Sequence, residues 1–443
     1  MANVAQPMVS LAMLTWDDVL APYIYVFYAA FLISFIFTPV MRVIAMYYGI
    51  VDLPDASRKL HKAPVAYLGG VAVFMGWVAG LAMSQLHIAN PQVGTHLRVK
   101  FSIVVGASAI VLLGLWDDTR RIRPRVKIVG QIAAALLLLT QGVGASCLAP
   151  VFSVLDPRLQ SVLGPAFHTP QYLVSALSSL LVVCMVVGCT NATNLLDGLD
   201  GLCGGVTAII AAGFLFLAVH LATEQLSPDW DAVRIVLSLA LLGAVLGFIP
   251  YNFNPASIFM GDTGSMFLGY ACAMMIVLLA QQETKWLLAA MVMFALPVLD
   301  TSLAFARRWV NRRSVFSADR HHFHHQMLAR GFSVRKTVLI SYTLAIAFCL
   351  LGALIVYMRT RYAVAFYLVI FGSIMVAAYK MGMVHEKSPV NGGAAEAADA
   401  PGASEASSTA PGADLPRADG RQAKPLESPS LVTRSPADHA VAG

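Results

Sequence analysis

Repeated runs of about 20 residues without a charged side chain constrain this chain more than any other feature. A helix of that length spans the hydrocarbon of a bilayer, where only helices and closed barrels satisfy their own backbone groups. Of the 443 residues, 58% are hydrophobic and 12% charged, more apolar surface than a water-soluble core needs. The expected fold is all-α: a polytopic integral membrane protein of eleven transmembrane helices. They fall at about 22–48, 68–87, 101–116, 126–142, 172–189, 202–221, 233–249, 265–280, 286–306, 337–357 and 363–380. Between the fourth and fifth, a proline-containing stretch reads as a polar loop to about Pro170. Residues 1–21 carry Asp17 and Asp18, lack the basic stretch and cleavage site of a signal peptide, and read as an external segment. Residues 22–385 read as the membrane domain. From 386 to 443 the composition shifts to Ala, Pro, Gly, Ser and mixed charge, as in a disordered tail. The six cysteines form no CxxC pair and read as small core residues.

Basic residues set the orientation. Arg58, Lys59 and Lys62 follow the first helix, Arg120, Arg121, Arg123, Arg125 and Lys127 the third, and Arg307 through Lys336 the ninth. With eleven crossings these loops share one face, which is therefore cytosolic, with the N-terminus outside and the C-terminus inside. Clustered in so few loops, the net charge of +6 argues against a nucleic-acid partner.

The most polar segments fall on that same face. The stretch NATNLLDGLDGL (191–202) places Asn191, Asn194, Asp197 and Asp200 three residues apart between two apolar runs. A helix would put neighbours in this series on a shared face, whereas Gly198 and Gly201 suit a turn that comes close to a ligand. Carboxylates this dense need a cation or hydrogen-bond donors. Asp117 and Asp118 end the third helix, where a carboxylate pair opposes the helix dipole. Adjacent carboxylates there suit a nearby metal or proton abstraction. Asp262, in FMGDTGS, fits either an N-cap or a ligand for a divalent cation beside bound phosphate. Asp300 reads equally as structure or site. The run DRHHFHH carries His321, His322, His324 and His325, with Arg312, Arg313 and Arg320 close by. These favour an anion, phosphate above all, over zinc. Lys59 and His61 complete the set from the first cytosolic loop. Acids for a divalent metal, His and Arg for phosphates and a membrane setting together point to phosphoryl chemistry on a lipid substrate.

Five motifs in order, VDLPDASRKLHKAPVAYLGG, GLWDD, NATNLLDGLDGL, FMGDTGSMFLG and SADRHHFHH, resemble the polyprenyl-phosphate N-acetylhexosamine-1-phosphate transferases of glycosyltransferase family 4. Within it the chain looks like the branch that moves GlcNAc-1-phosphate from UDP-GlcNAc to undecaprenyl phosphate, releasing UMP, as the first membrane step of a cell-envelope glycan pathway. The likeness runs from about residue 49 to 332. It implies Mg²⁺, with Mn²⁺ as a substitute, held chiefly by Asn194 and Asp262. It places Asp117 and Asp118 beside the metal and the lipid phosphate as catalytic residues. It gives Lys59, His61, Asp197, Asp200, Arg320, His322, His324 and His325 to substrate binding. The implied partners are a UDP-sugar donor, a polyprenyl-phosphate acceptor and membrane lipid, with a homodimer as a further expectation, in the bacterial cytoplasmic membrane. One-step attack by the lipid phosphate and a two-step route through an aspartyl intermediate both suit these residues.

The related muramoyl-pentapeptide translocases typically carry three consecutive histidines, which Phe323 interrupts here. Ala66 and Tyr67 stand where the family often has proline and a basic residue. The non-enzyme alternative is a cation-coupled transporter, whose acids would lie near the bilayer midplane between related halves, unlike those here. A scaffold with a degenerate site conflicts with the full set of acids.

Overall fold

The computed structural model describes residues 14–52, 64–86, 99–224, 228–310 and 322–380. Lys59, His61, Arg312, Arg313, Arg320 and the tail lie outside these residues. The described elements run α1 (Trp16–Leu20), a 3₁₀ turn (Ala21–Tyr23), α2 (Ile24–Tyr47), β1 (Val51–Asp52), β2 (Val65–Ala66), α3 (Gly69–Leu86), α4 (Phe101–Arg120) and α5 (Pro124–Thr140). There follow α6 (Ala149–Leu163), α7 (Gln171–Leu196), α8 (Leu202–Thr223), α9 (Pro228–Asn252), α10 (Gly261–Ala280) and α11 (Thr284–Met293). The last are α12 (Ala295–Val310), α13 (Phe323–Ala329), α14 (Val334–Val356) and α15 (Thr360–Lys380).

All eleven apolar segments are helical. Among the described residues, seven helices are long and apolar enough to cross a bilayer, or eight if α11 and α12, bent by 75°, form one broken span. Helices α3 and α15 are shorter apolar helices. Large side chains such as Leu32, Val43, Leu350 and Val369 point outward from α2, α14 and α15, a surface suited to lipid. The chain is a multi-pass α-helical membrane protein.

At the centre stands α10, wholly buried and packed against α3, α4, α7, α8, α9 and α11. Small residues let other backbones come close to it. A β-carbon on Gly70 of α3 would lie 2.2 Å from the backbone nitrogen of Gly264 in α10. Both sides of that contact are backbone, so neither has a side chain that can swing away. Gly70→Ala is therefore expected to cost about 3 kcal/mol and to deplete folded protein in detergent, as size-exclusion yield would register.

Four local features depart from the sequence reading. The first helix begins at Trp16, not at the apolar run, because Thr15 and Asp18 form a capping box (Thr15 N–H to Asp18 Oδ2, 2.9 Å; Asp18 N–H to Thr15 Oγ1, 3.3 Å). The proline-containing loop holds α6, because Pro150 sits in the first turn, where its missing N–H is no loss. The segment 286–306 breaks at Phe294, with Pro297 in the first turn of the second half. Strands β1 and β2 pair antiparallel (Val51 with Ala66, Asp52 with Val65), and Ala66 bridges to Ile258 just before α10. Two-residue strands are too short to leave an alternating pattern in sequence.

Candidate active site

The cluster is built where α4 and α5 end and begin, beside the last turn of α7 and the first turn of α10. Helix α10 starts at Gly261, so Asp262 lies inside its first turn and is not its cap. The cap comes from α4. Asp118 accepts from the backbone N–H of Asp262 (2.8 Å) and Thr263 (3.0 Å) and from Thr263 Oγ1 (2.6 Å). A carboxylate at a helix N-terminus answers the orphan donors and the dipole together. The pair that opposes the dipole of α4 is thus matched, in Asp118, by the dipole of α10.

Asp117 is used differently. One oxygen accepts the Ile122 N–H at 2.8 Å, which closes the turn into α5. The other meets the ammonium of Lys127, which also contacts Asp262. Lys127 thus bridges two carboxylates from α4 and α10. Asn194, in the last turn of α7, donates to Asp262 Oδ1 (2.8 Å) and to Ser265 Oγ (3.0 Å). Asn191, one turn earlier, donates to Gln131 Oε1 at 2.8 Å, so it braces α7 against α5.

After Leu196 the chain turns. Asp197 is the C-cap residue of α7, and Gly201, at φ +79°, leads into α8. Burial, then the charges of Asp262, Asp118 and Asp200, hold the Asp197 carboxyl well above the usual carboxylate range. Asp200 accepts from Asn254 Nδ2 and the Ala256 N–H, both at 3.0 Å, which ties the turn to the loop after α9. Asp197, Asp200, Asp52, Tyr67 and His325 line a cleft of about 390 Å³. The Tyr67 ring packs edge-on against Phe259, 5.9 Å between centroids. Burial, then the charges of Asp52, Asp118, Asp197 and Asp262, hold its phenol above the ordinary value.

The histidine run completes this face. His322 caps α13, and His324 is buried against Gly198, where a β-carbon would lie 2.3 Å from His324 Nε2. Only a glycine leaves room for that ring. Burial, then the adjacent His325, push His324 down to about 4. Between about 4 and 6.5 the unfolded chain therefore binds a proton that the folded protein refuses, so stability falls as pH drops through that window. The span is worth about 3 kcal/mol at most. Wild-type protein is expected to lose apparent melting temperature from pH 6.5 to 4.5, and His324→Asn to lose less of it; equal losses would contradict this.

Of the expected residues, the structure brings Asp117, Asp118, Asn194, Asp197, Asp200, Asp262, His322, His324 and His325 to one end of the bundle. Lys59, His61 and Arg320 lie outside the described residues. The sequence reading missed Lys127 as part of the cluster and counted it only as a loop charge. The signal was its spacing: Lys127 and Gln131 are one helical turn apart on a helix that is largely apolar beyond its first turn.

A family model for glycosyl transferase family 4 matches residues 100–280, which carry α4 to α10 and nearly every acid of the cluster. A Bacillus subtilis (strain 168) protein named "Probable undecaprenyl-phosphate N-acetylglucosaminyl 1-phosphate transferase" is 32% identical over 376 residues, 84% of this chain and 95% of that one. The chain belongs to glycosyl transferase family 4. A decaprenyl-phosphate N-acetylglucosaminephosphotransferase of Mycobacterium tuberculosis (strain CDC 1551 / Oshkosh) is 33% identical over 328 residues, 71% of this chain and 77% of its own length. A phospho-N-acetylmuramoyl-pentapeptide-transferase of Rubrobacter xylanophilus is also 33% identical, over 318 residues, 67% of this chain and 85% of its own. Percentage identity does not separate these two kinds of family-4 relative. The Bacillus subtilis protein, however, matches 84% of this chain against 67% for the Rubrobacter xylanophilus one.

Proposed function

We propose that the chain transfers GlcNAc-1-phosphate from UDP-GlcNAc to undecaprenyl phosphate at the cytosolic face of the bacterial cytoplasmic membrane, releasing UMP. The observation that carries this reading is the order of surfaces along α7. Cys184, Gly188 and Ala192 line an apolar groove of about 390 Å³, walled also by α12 and α15. Asn194 follows, bonded to Asp262. Asp197 and Asp200 then line the polar cleft. An isoprenoid tail suits the groove, a nucleotide sugar suits the cleft, and the charged cluster lies between them. The two most extensively matched relatives named above carry polyprenyl-phosphate GlcNAc transferase names.

A magnesium ion fits the donor chemistry of this cluster. Two carboxylates from different helices already share one cation, the Lys127 ammonium. Among the described residues no three His, Cys, Asp or Glu side chains converge to cage a metal. That suits an ion held by one or two carboxylates plus substrate phosphates. Asp262, with Asn194, would hold it, and when bound it would supply charge neutralisation at the diphosphate.

The chain's own groups do the rest. Both Asp118 oxygens hold the start of α10, whereas Asp117 has one oxygen on the Ile122 N–H and the other facing the mobile ammonium of Lys127, so Asp117 is the carboxylate that takes a proton from the lipid phosphate and aligns it. An oxygen of that phosphate forms a bond to the β-phosphorus of the donor, the bond from that phosphorus to the bridging oxygen breaks, and UMP departs with the electron pair. Lys127 and the histidines face the charge that develops on the phosphates. Asp118 holds the start of α10, and with it Asp262, in register.

The test is UMP release by detergent-purified protein given UDP-GlcNAc, undecaprenyl phosphate and Mg²⁺. The expected result is release that needs lipid and is lost with EDTA. Release with a UDP-muramoyl-pentapeptide donor and none with UDP-GlcNAc would overturn the choice of donor. Ion flux into liposomes without UMP release would overturn the reaction.

A further inference from the structure

Asp300 lies outside the carboxylate cluster, yet it is 3% exposed, on the half of the bent helix pair that follows the break. A carboxylate at that depth needs partners. One oxygen accepts the Phe323 N–H at 2.8 Å. The other lies 3.3 Å from Nδ1 of His322, itself 6% exposed. Asp300 therefore holds the N-terminus of α13, a seven-residue helix too short to keep its place unaided.

That anchor sets three rings in sequence. The His322 and His324 rings are parallel within 7°, with centroids 5.7 Å apart, and His324 and His325 are 4.3 Å apart. His324 packs on Gly198, and His325 lines the cleft with Asp197 and Asp200. On the other face of α12, Val298, Ser302 and Phe305 line the apolar groove. Positions 298 and 302 are each about half a turn from 300 around the helix. One turn of α12 thus walls the groove on one side and anchors the histidines on the other.

We propose that Asp300 is a positioning residue for the transfer reaction. Through His322 and the Phe323 N–H it fixes the histidine run against the donor cleft, from the helix that walls the acceptor groove. The assignment rests on reading the cleft as the donor site and the groove as the acceptor site. A carboxylate 3.3 Å from Nδ1 holds the ring facing it, which a neutral amide does less well.

Asp300→Asn keeps an oxygen for the Phe323 N–H and removes the charge at His322. It is expected to raise the donor KM about tenfold or more, with the polyprenyl-phosphate KM within about twofold and the melting temperature nearly unchanged. His322→Gln should behave alike. The double variant should be no worse than the worse single, because both act through one contact. Asp300→Glu should recover part of the loss.

An unchanged donor KM in Asp300→Asn, a parallel rise of both KM values with a lowered melting temperature, or additive losses in the double variant would overturn the assignment. Should Asp300→Asn not fold, His322→Gln reads the same contact, and an unchanged donor KM there overturns it too. The wild-type rate separates the two readings. Absence of wild-type UMP release sinks the transfer reaction, while wild-type turnover with indifferent variants sinks the role of Asp300 alone.

Discussion

Asp117→Asn is expected to cut UMP release by about 10²–10⁴-fold with melting behaviour intact, whereas Asp118→Asn loses turnover and about 1–3 kcal/mol of stability together. The two neighbours differ in what their oxygens hold. At 117 an asparagine oxygen still accepts the Ile122 N–H, so the turn into α5 survives. What goes is the negative charge facing the Lys127 ammonium and the carboxylate that takes a proton. At 118 both oxygens are engaged, by two backbone N–H groups and a hydroxyl. An asparagine offers one acceptor and sets its own N–H₂ against the remaining donors. Thr263 is fully buried, so no water replaces the lost bond. Unfolding can be followed by labelling the fully buried Cys203 and Cys272 with a thiol reagent during heating. Near-normal turnover of Asp117→Asn would remove Asp117 from the chemistry. A wild-type melting profile for Asp118→Asn would show that the cap on α10 contributes nothing.

The sequence made the helices and the face legible for physical reasons. Long charge-free runs have one stable solution in a bilayer, so all eleven segments proved helical. Polar side chains interrupting such runs are costly unless they meet partners at a surface, and Asp117, Asn194 and Asp262 come together at one end of the bundle. Partners were less legible, because contacts between helices leave no local period. Nothing in GDTGS says that its cap is a carboxylate 144 positions earlier, which makes Asp262 a first-turn residue and not the N-cap. Nothing in the basic loop after α4 distinguishes Lys127 from four exposed arginines, except that it sits one turn before Gln131 within the helix. Asp300 read as evenly structural or functional because its partner, His322, is distant in sequence and depends on a bend at Phe294.

Lys127→Met is expected to bind a divalent cation at least about tenfold more tightly than wild type, yet to release UMP at least about 100-fold more slowly. Methionine keeps the apolar stem and removes the ammonium that Asp117 and Asp262 share. Without the ammonium that both contact, the two carboxylates face each other unscreened, and unit charges about 4 Å apart repel by about 4 kcal/mol at an effective dielectric of 20. Any cation that reaches them relieves this repulsion, so the lost lysine becomes gained metal affinity. Titration with Mn²⁺ followed by paramagnetic resonance measures that affinity without turnover. The rate falls for a separate reason: the donor diphosphate and the lipid phosphate bring more negative charge than one divalent ion neutralises, and the Lys127 ammonium is a positive group already in contact with the carboxylates of the cluster. Tighter Mn²⁺ binding with poor turnover would mean that lysine and metal contend for the same carboxylates and that the lysine then serves the phosphates. Unchanged Mn²⁺ affinity would mean that the metal's ligands lie elsewhere than Asp262, and the bridge would then be only a brace between α5 and α10.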